Sequence, residues 1–312
     1  MRKSFPLRSS HRDARQGRVR FSTNATRKSF PLRSSHRDAR QGRVRFPGEE
    51  SRSLFAIQDP NENLSYTNIE VETIERDFHP TTVIEKSNAT KQALLQAPAF
   101  ESFCQSQVVH FSCHGYFDIN SPVDSAIALA GCVSPIPADA DSGDSTGDSD
   151  KRYRKLANGD AIDLEKCLTL PDIFNLNLPE CCLVTLSACE TGLTSPFSTS
   201  DEYIGLPSGF LKAGSSSIVS SLWSVDDFAT TLLMIRFYDN QRSLAIAQAL
   251  CQTQCWLRNR TQAELIKWSQ NHPKINEQHK HTILQRLQTW YLPEHKPFSK
   301  PEAWAGFCAI GC

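Results

Sequence analysis

No stretch of this 312-residue chain reaches the ~18 uncharged apolar residues that a membrane-crossing helix needs, so a membrane span is not expected. The start also lacks the basic, apolar and small-residue series of a secretory signal, which argues against secretion. There is no CxxC pair, although the chain holds 11 cysteines. They are scattered through strand-like and helix-like segments of a long chain, unlike the cysteines of short secreted disulfide scaffolds. Cys181-Cys182 and Cys251/Cys255 have no histidines at ligand spacing, and His110 and His114 lie four apart in a strand-like run rather than on a helix. GLPSGFLKAG, Gly205 to Gly214, contains Lys212 but lacks the GxxxxGK[ST] order of a phosphate loop. These absences imply a cytoplasmic protein with reduced thiols and no metal or organic cofactor.

The net charge of zero conceals an asymmetry. Residues 1–46 hold 14 of the 34 Lys and Arg and only two acids, Asp13 and Asp38. That leaves the remainder with 20 bases against 32 acids, which disfavours nucleic acid as a partner of the body. RKSFPLRSSHRDARQGRVRF occurs at Arg2–Phe21 and again, letter for letter, at Arg27–Phe46. Structural repeats diverge as each copy adapts to its own packing, so identity points to a recent duplication. The segment is rich in Arg and Ser and poor in apolar anchors, and is expected to be a disordered leader or a mis-assigned start. A basic arm for nucleic acid or anionic membrane and a transit-type targeting peptide are the alternatives.

From Ser53 the pattern becomes an alternation of short apolar runs and helical periodicities. Runs at Ser53–Pro60, Thr81–Ser87, Val108–Gly115, Leu183–Gly192 and Ser215–Asp227 read as strands, with Trp304–Ile310 as a last one. Helices are expected over Thr67–Phe78, after a cap at Asn88, near Leu170–Glu180, over Phe228–Asn240, as one stretch from about Ser243 to Trp268, and near Thr282–Tyr291. The stretch 135–159 is acidic, rich in Ser and Gly, and expected to be a mobile insertion. Such alternation predicts an α/β fold with a mostly parallel sheet covered by helices on both faces.

Two of the apolar runs end in a reactive side chain followed by glycine: VVHFSCHG delivers His114 and LVTLSACETG delivers Cys189. If the two strands are parallel neighbours, imidazole and thiol emerge together at the carboxyl edge of the sheet, where open α/β sheets keep their sites. A free thiol at a pKa of about 8.5 is mostly protonated at neutral pH, and a neighbouring imidazole can take that proton and return it to a leaving amine. The N–H groups of Gly115 and Cys189 are candidate donors to a developing oxyanion. Cys113 should point to the face opposite His114, and His110 reads as a satisfied core histidine. Glu190 either orients a substrate or closes a Ser187-x-x-Glu190 capping box, the structural role being favoured.

Four segments in order, VVHFSCHGYFD, CLVTLSACETG, EYIGLPSGFLKAGSSSIVSSLWSVDD and AWAGFCAIG, resemble the CHAT domain, a caspase-like, separase-related family of cysteine-peptidase type. The resemblance runs from Ser53 to Cys312, about five-sixths of the chain. It implies a caspase-like three-layer sandwich, residues 53–312, with His114 as base and Cys189 as nucleophile acting on a protein or peptide substrate. Related peptidases place an acid after a similar Leu-Trp strand end to receive a basic P1 side chain, which points to Asp226 or Asp227. The alternative for these acids is a Ser224-x-x-Asp227 cap on the following helix. Cys189 follows His114 by 75 positions, against about 50 in caspases, and the 135–159 insertion accounts for much of the difference. Family members often carry helical repeats that recruit partners; here a separate adaptor polypeptide takes that place in the expectation. The rival expectations are a non-catalytic interaction module and a latent peptidase whose site forms only with a partner.

Overall fold

Apolar runs that are buried from end to end become strands here because both of their faces meet helices. A computed structural model describes residues 52–117, 121–135, 152–156, 160–187, 189–190 and 205–311. The repeats of residues 1–46 and the middle of the acidic insertion lie outside the described residues.

The first half comprises β1 (Leu54–Gln58), α1 (Thr67–Ile74), β2 (Thr81–Glu85), α2 (Lys91–Leu95), α3 (Ala99–Gln105), β3 (Val108–Ser112), β4 (His114–Tyr116) and β5 (Ala126–Ile127). Next come β6 (Val133–Pro135), β7 (Tyr153–Lys155), β8 (Asp160–Asp163), β9 (Leu168–Thr169), α4 (Leu170–Phe174), β10 (Leu183–Leu186) and β11 (Cys189–Glu190). The chain continues through α5 (Leu206–Ala213), β12 (Ser217–Ser221), α6 (Asp227–Gln241), α7 (Ile246–Asn259), α8 (Gln262–Asn271), α9 (Glu277–Trp290), α10 (Pro301–Trp304) and β13 (Phe307–Gly311).

The central sheet has six strands in the order β13-β12-β10-β3-β1-β2. All neighbours are parallel except the edge strand β13, which runs antiparallel to β12. Successive residues of each strand enter different cores, as period-two alternation requires. Leu54, Ala56, Val108, Leu183 and Val219 pack with α1, α6, α7, α8 and α9 on one side. Phe55, Ile57, Val109, Phe111, Val184, Leu186 and Ile218 pack with α2, α3, α4 and α5 on the other. The result is the three-layer α/β sandwich expected from the alternation. At ~1.5–3 kcal/mol for each fully buried large apolar side chain, the two cores supply the main stabilisation of the fold. Among the described residues, no helix is long and apolar enough to cross a membrane.

Local chemistry moves several expected boundaries. Thr90, not Asn88, caps α2 by accepting from the Ala93 N–H at 3.1 Å. The helix expected from Ser243 to Trp268 is two helices. A capping box ends the first and starts the second, with Glu264 accepting from the Thr261 N–H at 2.9 Å and Thr261 Oγ1 from the Glu264 N–H at 3.3 Å. Trp304 ends the short helix α10, and the last strand begins only at Phe307. The stretch 135–159, expected to be a mobile loop throughout, contains a strand, β7; β7 and β6, which leads into the stretch, each run antiparallel to β8 in a three-stranded sheet. Gly214 ends α5 at φ +119, a left-handed conformation that glycine adopts at low cost.

Candidate active site

Beyond the carboxyl ends of β3 and β10 the two chains pair again. β10 lies parallel beside β3 with Thr185 opposite His110. After a break in each chain, β11 lies parallel beside β4 with Cys189 opposite His114 and Glu190 opposite Gly115. Four residues separate the two pairings on both chains, so the register of the main sheet carries through to the second one. That second sheet has the order β11-β4-β5-β9, with Gly115 also paired to Ile127. The separation of β10 from β11 explains why the expected Ser187-x-x-Glu190 capping box does not form. Cys189 and Glu190 extend as a strand rather than opening a helix, and the buried Ser187 hydroxyl has no hydrogen-bond partner among the described residues.

His114 is half-buried, and its Nε2 lies 2.8 Å from Asn63 Oδ1. Its Nδ1 is buried and has no hydrogen-bond partner among the described residues. Burial pushes the imidazole pKa below 6.5, and the Asp59 carboxylate opposes that shift. The ring is therefore held neutral at neutral pH, as a proton acceptor must be.

Asn63 arrives on the loop that leaves β1. Asp59, at φ +41, starts the loop, and its N–H donates to Ser112 O at 2.9 Å, two residues before His114. Asp59 Oδ1 then accepts from the N–H groups of Asn63 at 3.0 Å and Leu64 at 3.2 Å. Glu62 is also left-handed, at φ +55, and its N–H closes a turn on Asp59 O. Beside this loop is a cavity of about 500 Å³ lined by Asn61, Glu62, Asn63, Ser87, Thr90 and Gly131 among others. Sequence reasoning missed Asp59 and Asn63. The polar Asp59-Pro60-Asn61-Glu62-Asn63 run at a strand exit was the available signal, since that exit shares the carboxyl edge with His114.

His110 is fully buried, with Nε2 2.9 Å from Glu70 Oε1 and Nδ1 3.2 Å from the Tyr238 hydroxyl, which in turn lies 2.9 Å from Thr185 Oγ1. It is the satisfied core histidine that the strand position predicted. Cys113 is buried in the opposite core, among Phe111, Ile127 and Leu129. Lys212 sits over the Phe174 ring at 4.5 Å, a cation–π contact rather than a phosphate site.

The two acids after β12 have different surroundings. Asp226 is exposed and is the N-cap of α6, with Oδ1 accepting from the Ala229 N–H at 2.8 Å. The Ser224-x-x-Asp227 cap considered for this helix is therefore replaced by a cap at Asp226. Asp227 Oδ2 accepts from the backbone N–H groups of Ser65 at 2.8 Å and Tyr66 at 3.1 Å, tying the Asn63 loop to α6. Burial, reinforced by the nearby Glu70, raises the Asp227 pKa to about 6 against those two hydrogen bonds. Leu222 and Trp223 are exposed just before these acids, and the Trp223 indole N–H donates to Glu302 O at 3.4 Å.

The parallel α/β sandwich thus brings a histidine and a cysteine into backbone register beyond the carboxyl edge of its sheet. The family model of the CHAT domain matches residues 8–312, and the chain belongs to that family. That family is associated with a caspase-like, peptidase-related fold. No curated protein matches the chain.

Proposed function

We propose that the protein is a cysteine endopeptidase in which Cys189 is the nucleophile and His114 the general base. The observation that carries this reading is the parallel pairing of Cys189 with His114. Strands in a sheet lie about 4.8 Å apart, and directly paired residues share a face. The Nδ1 of His114, which has no hydrogen-bond partner among the described residues, supports the same reading, because it has a lone pair to offer at neutral pH.

In the first step the Cys189 sulfur attacks a peptide carbonyl as its proton passes to His114. A tetrahedral oxyanion forms and collapses to a thioester as the imidazolium gives its proton to the leaving amine. Water then attacks the thioester, His114 takes a proton from it and returns it to sulfur, and the carboxylic acid product departs. The Cys189 N–H is the proposed oxyanion donor, by its place at the nucleophile; Gly115, the second expected donor, is paired on both sides in the second sheet and would join only by leaving that ladder. Asp226, exposed at the exit of β12, is the proposed acceptor of a basic P1 side chain, while Asp227 already holds the backbone of Ser65 and Tyr66. Glu190, one residue after the nucleophile, is proposed as a further substrate contact. The biological role in this proposal is limited cleavage of a partner protein, with a helical-repeat adaptor as a separate chain.

Unbiased cleavage-site profiling of wild type against Cys189→Ala tests the proposal. Cleavages after Arg or Lys that vanish in the variant support it. An identical set of cleavages in both proteins removes it.

A further inference from the structure

We infer that Asn63 is the positioning residue for His114: its amide oxygen accepts the Nε2 proton and thereby reserves Nδ1 for the thiol of Cys189. The inference rests on the peptidase reading for its consequence and on separate geometry for its substance. A neutral imidazole carries one N–H, and an oxygen at 2.8 Å can only accept, so the proton is fixed on Nε2. The lone pair then lies on Nδ1, the nitrogen that is buried without a partner among the described residues. The two nitrogens are thus differentiated by the fold before any substrate is present.

The placement of Asn63 is built rather than incidental. Although its side chain is exposed, its backbone N–H is held by Asp59 Oδ1 at 3.0 Å, and Asp59 is bonded to Ser112 O at 2.9 Å on the strand that leads into His114. Asp227 fixes the far end of the loop through Ser65 and Tyr66. Left-handed backbone at Asp59 and Glu62, which are not glycines, is the conformational cost of this path. An amide suits the role because it carries no charge. A carboxylate at position 63 would stabilise imidazolium and undo the effect of burial that keeps the base neutral.

The test uses the full chain labelled with 15N-histidine, the His114 signals being assigned among the nine histidines by their loss in His114→Gln. Wild type at neutral pH should show a protonated Nε2 and a bare Nδ1. In Asn63→Ala, iodoacetamide labelling of Cys189 and the kcat for a peptide substrate should each fall by about tenfold to a hundredfold with KM little changed. In Asn63→Asp the Nε2 bond is kept, so the tautomer stays, but the His114 titration midpoint moves up by about one unit or more. A proton on Nδ1 in wild type overturns the inference, whether or not the variants fold. So does Asn63→Ala with unaltered labelling and kcat. Failure of the peptidase reading looks different: no peptide is cleaved and Cys189 labelling is indifferent to His114→Ala, while the tautomer still decides the role of Asn63.

Discussion

Cys189 and His114 are register partners on neighbouring parallel strands, and the same register pairs Thr185 with His110 four residues earlier on each chain. The two pairs have opposite chemistry. At the lower one, His110 is sealed by Glu70 and Tyr238 with both nitrogens engaged. At the upper one, His114 keeps one nitrogen unpartnered among the described residues. Depth along one pair of strands thus separates an imidazole with both nitrogens engaged from one with a single nitrogen bonded among the described residues.

If that imidazole activates the thiol, alkylation will reveal it. Iodoacetamide should modify Cys189 ahead of the exposed Cys251 and Cys255 at neutral pH. His114→Ala should slow Cys189 by at least about tenfold and leave the other two unchanged. Mass-spectrometric rates for the three peptides check this.

The pH profile follows from the depressed pKa of His114. If His114 is the base, it is lost only when the ring is protonated, so the acid limb of kcat/KM should fall below pH 6.5. Asp59 is the charge that holds the pKa up against burial, and Asp59→Asn keeps an oxygen for the Asn63 and Leu64 N–H groups. That variant should move the limb to still lower pH. A limb displaced upward would contradict the assignment.

At Asp226 two substitutions separate the cap from the charge. Asp226→Asn preserves an acceptor for Ala229 N–H and should retain stability while losing preference for Arg or Lys at P1. Asp226→Ala should lose the same preference and about 1 kcal/mol of stability as well. Comparing kcat/KM on Arg-P1 and Ala-P1 peptides, with urea midpoints for both variants, makes the distinction.

Asp227 titrates at about 6 in the folded protein, above its ordinary 3.8. Its contribution to stability is full below about pH 3.8 and is lost as pH rises through about 6, because the unfolded chain releases the proton first. Asp227→Asn does not titrate and can still accept from Ser65 and Tyr66. Wild type should therefore weaken relative to the variant between about pH 4 and pH 6 and run parallel to it above, as read from denaturant midpoints across that range.

Gly214 gives a prediction for the fold alone. A Cβ there would stand 2.9 Å from Leu178 O, on a residue whose φ is +119. Gly214→Ala should destabilise by about 1–3 kcal/mol, visible as a lower melting temperature.

Most of the architecture was legible because two-sided burial writes itself into the sequence as continuous apolar runs. Leu54–Gln58 and Val108–Ser112 are such runs, and both are strands buried throughout. Helix ends were less legible, since they depend on which of several polar neighbours reaches a free N–H. Thr90 wins over Asn88, and Asp226 over Ser224. The Thr261–Glu264 box carries a readable signature, but it was hidden inside a periodicity that continues across it. The apolar character of β3 and β10 marked both as buried strands but left their pairing a condition, which the structure supplies, and Asn63 carried no mark of its own. Its bond to His114 joins residues 51 apart, and the polar run at the exit of β1 marks the loop but not which of its side chains reaches the imidazole.

The reversed strand β13 has a consequence for the rim it borders. Leu222 N–H donates to Gly306 O at 2.6 Å, and the Trp223 indole leans on Glu302, so the stretch leading to Asp226 is braced by residues some 80 positions downstream. Trimming the polypeptide before Pro301 would strip this brace and bare the ladder groups of β12, inviting self-association along the new border. A tag or fusion near that end should therefore be judged by the oligomeric state of the product as well as by yield.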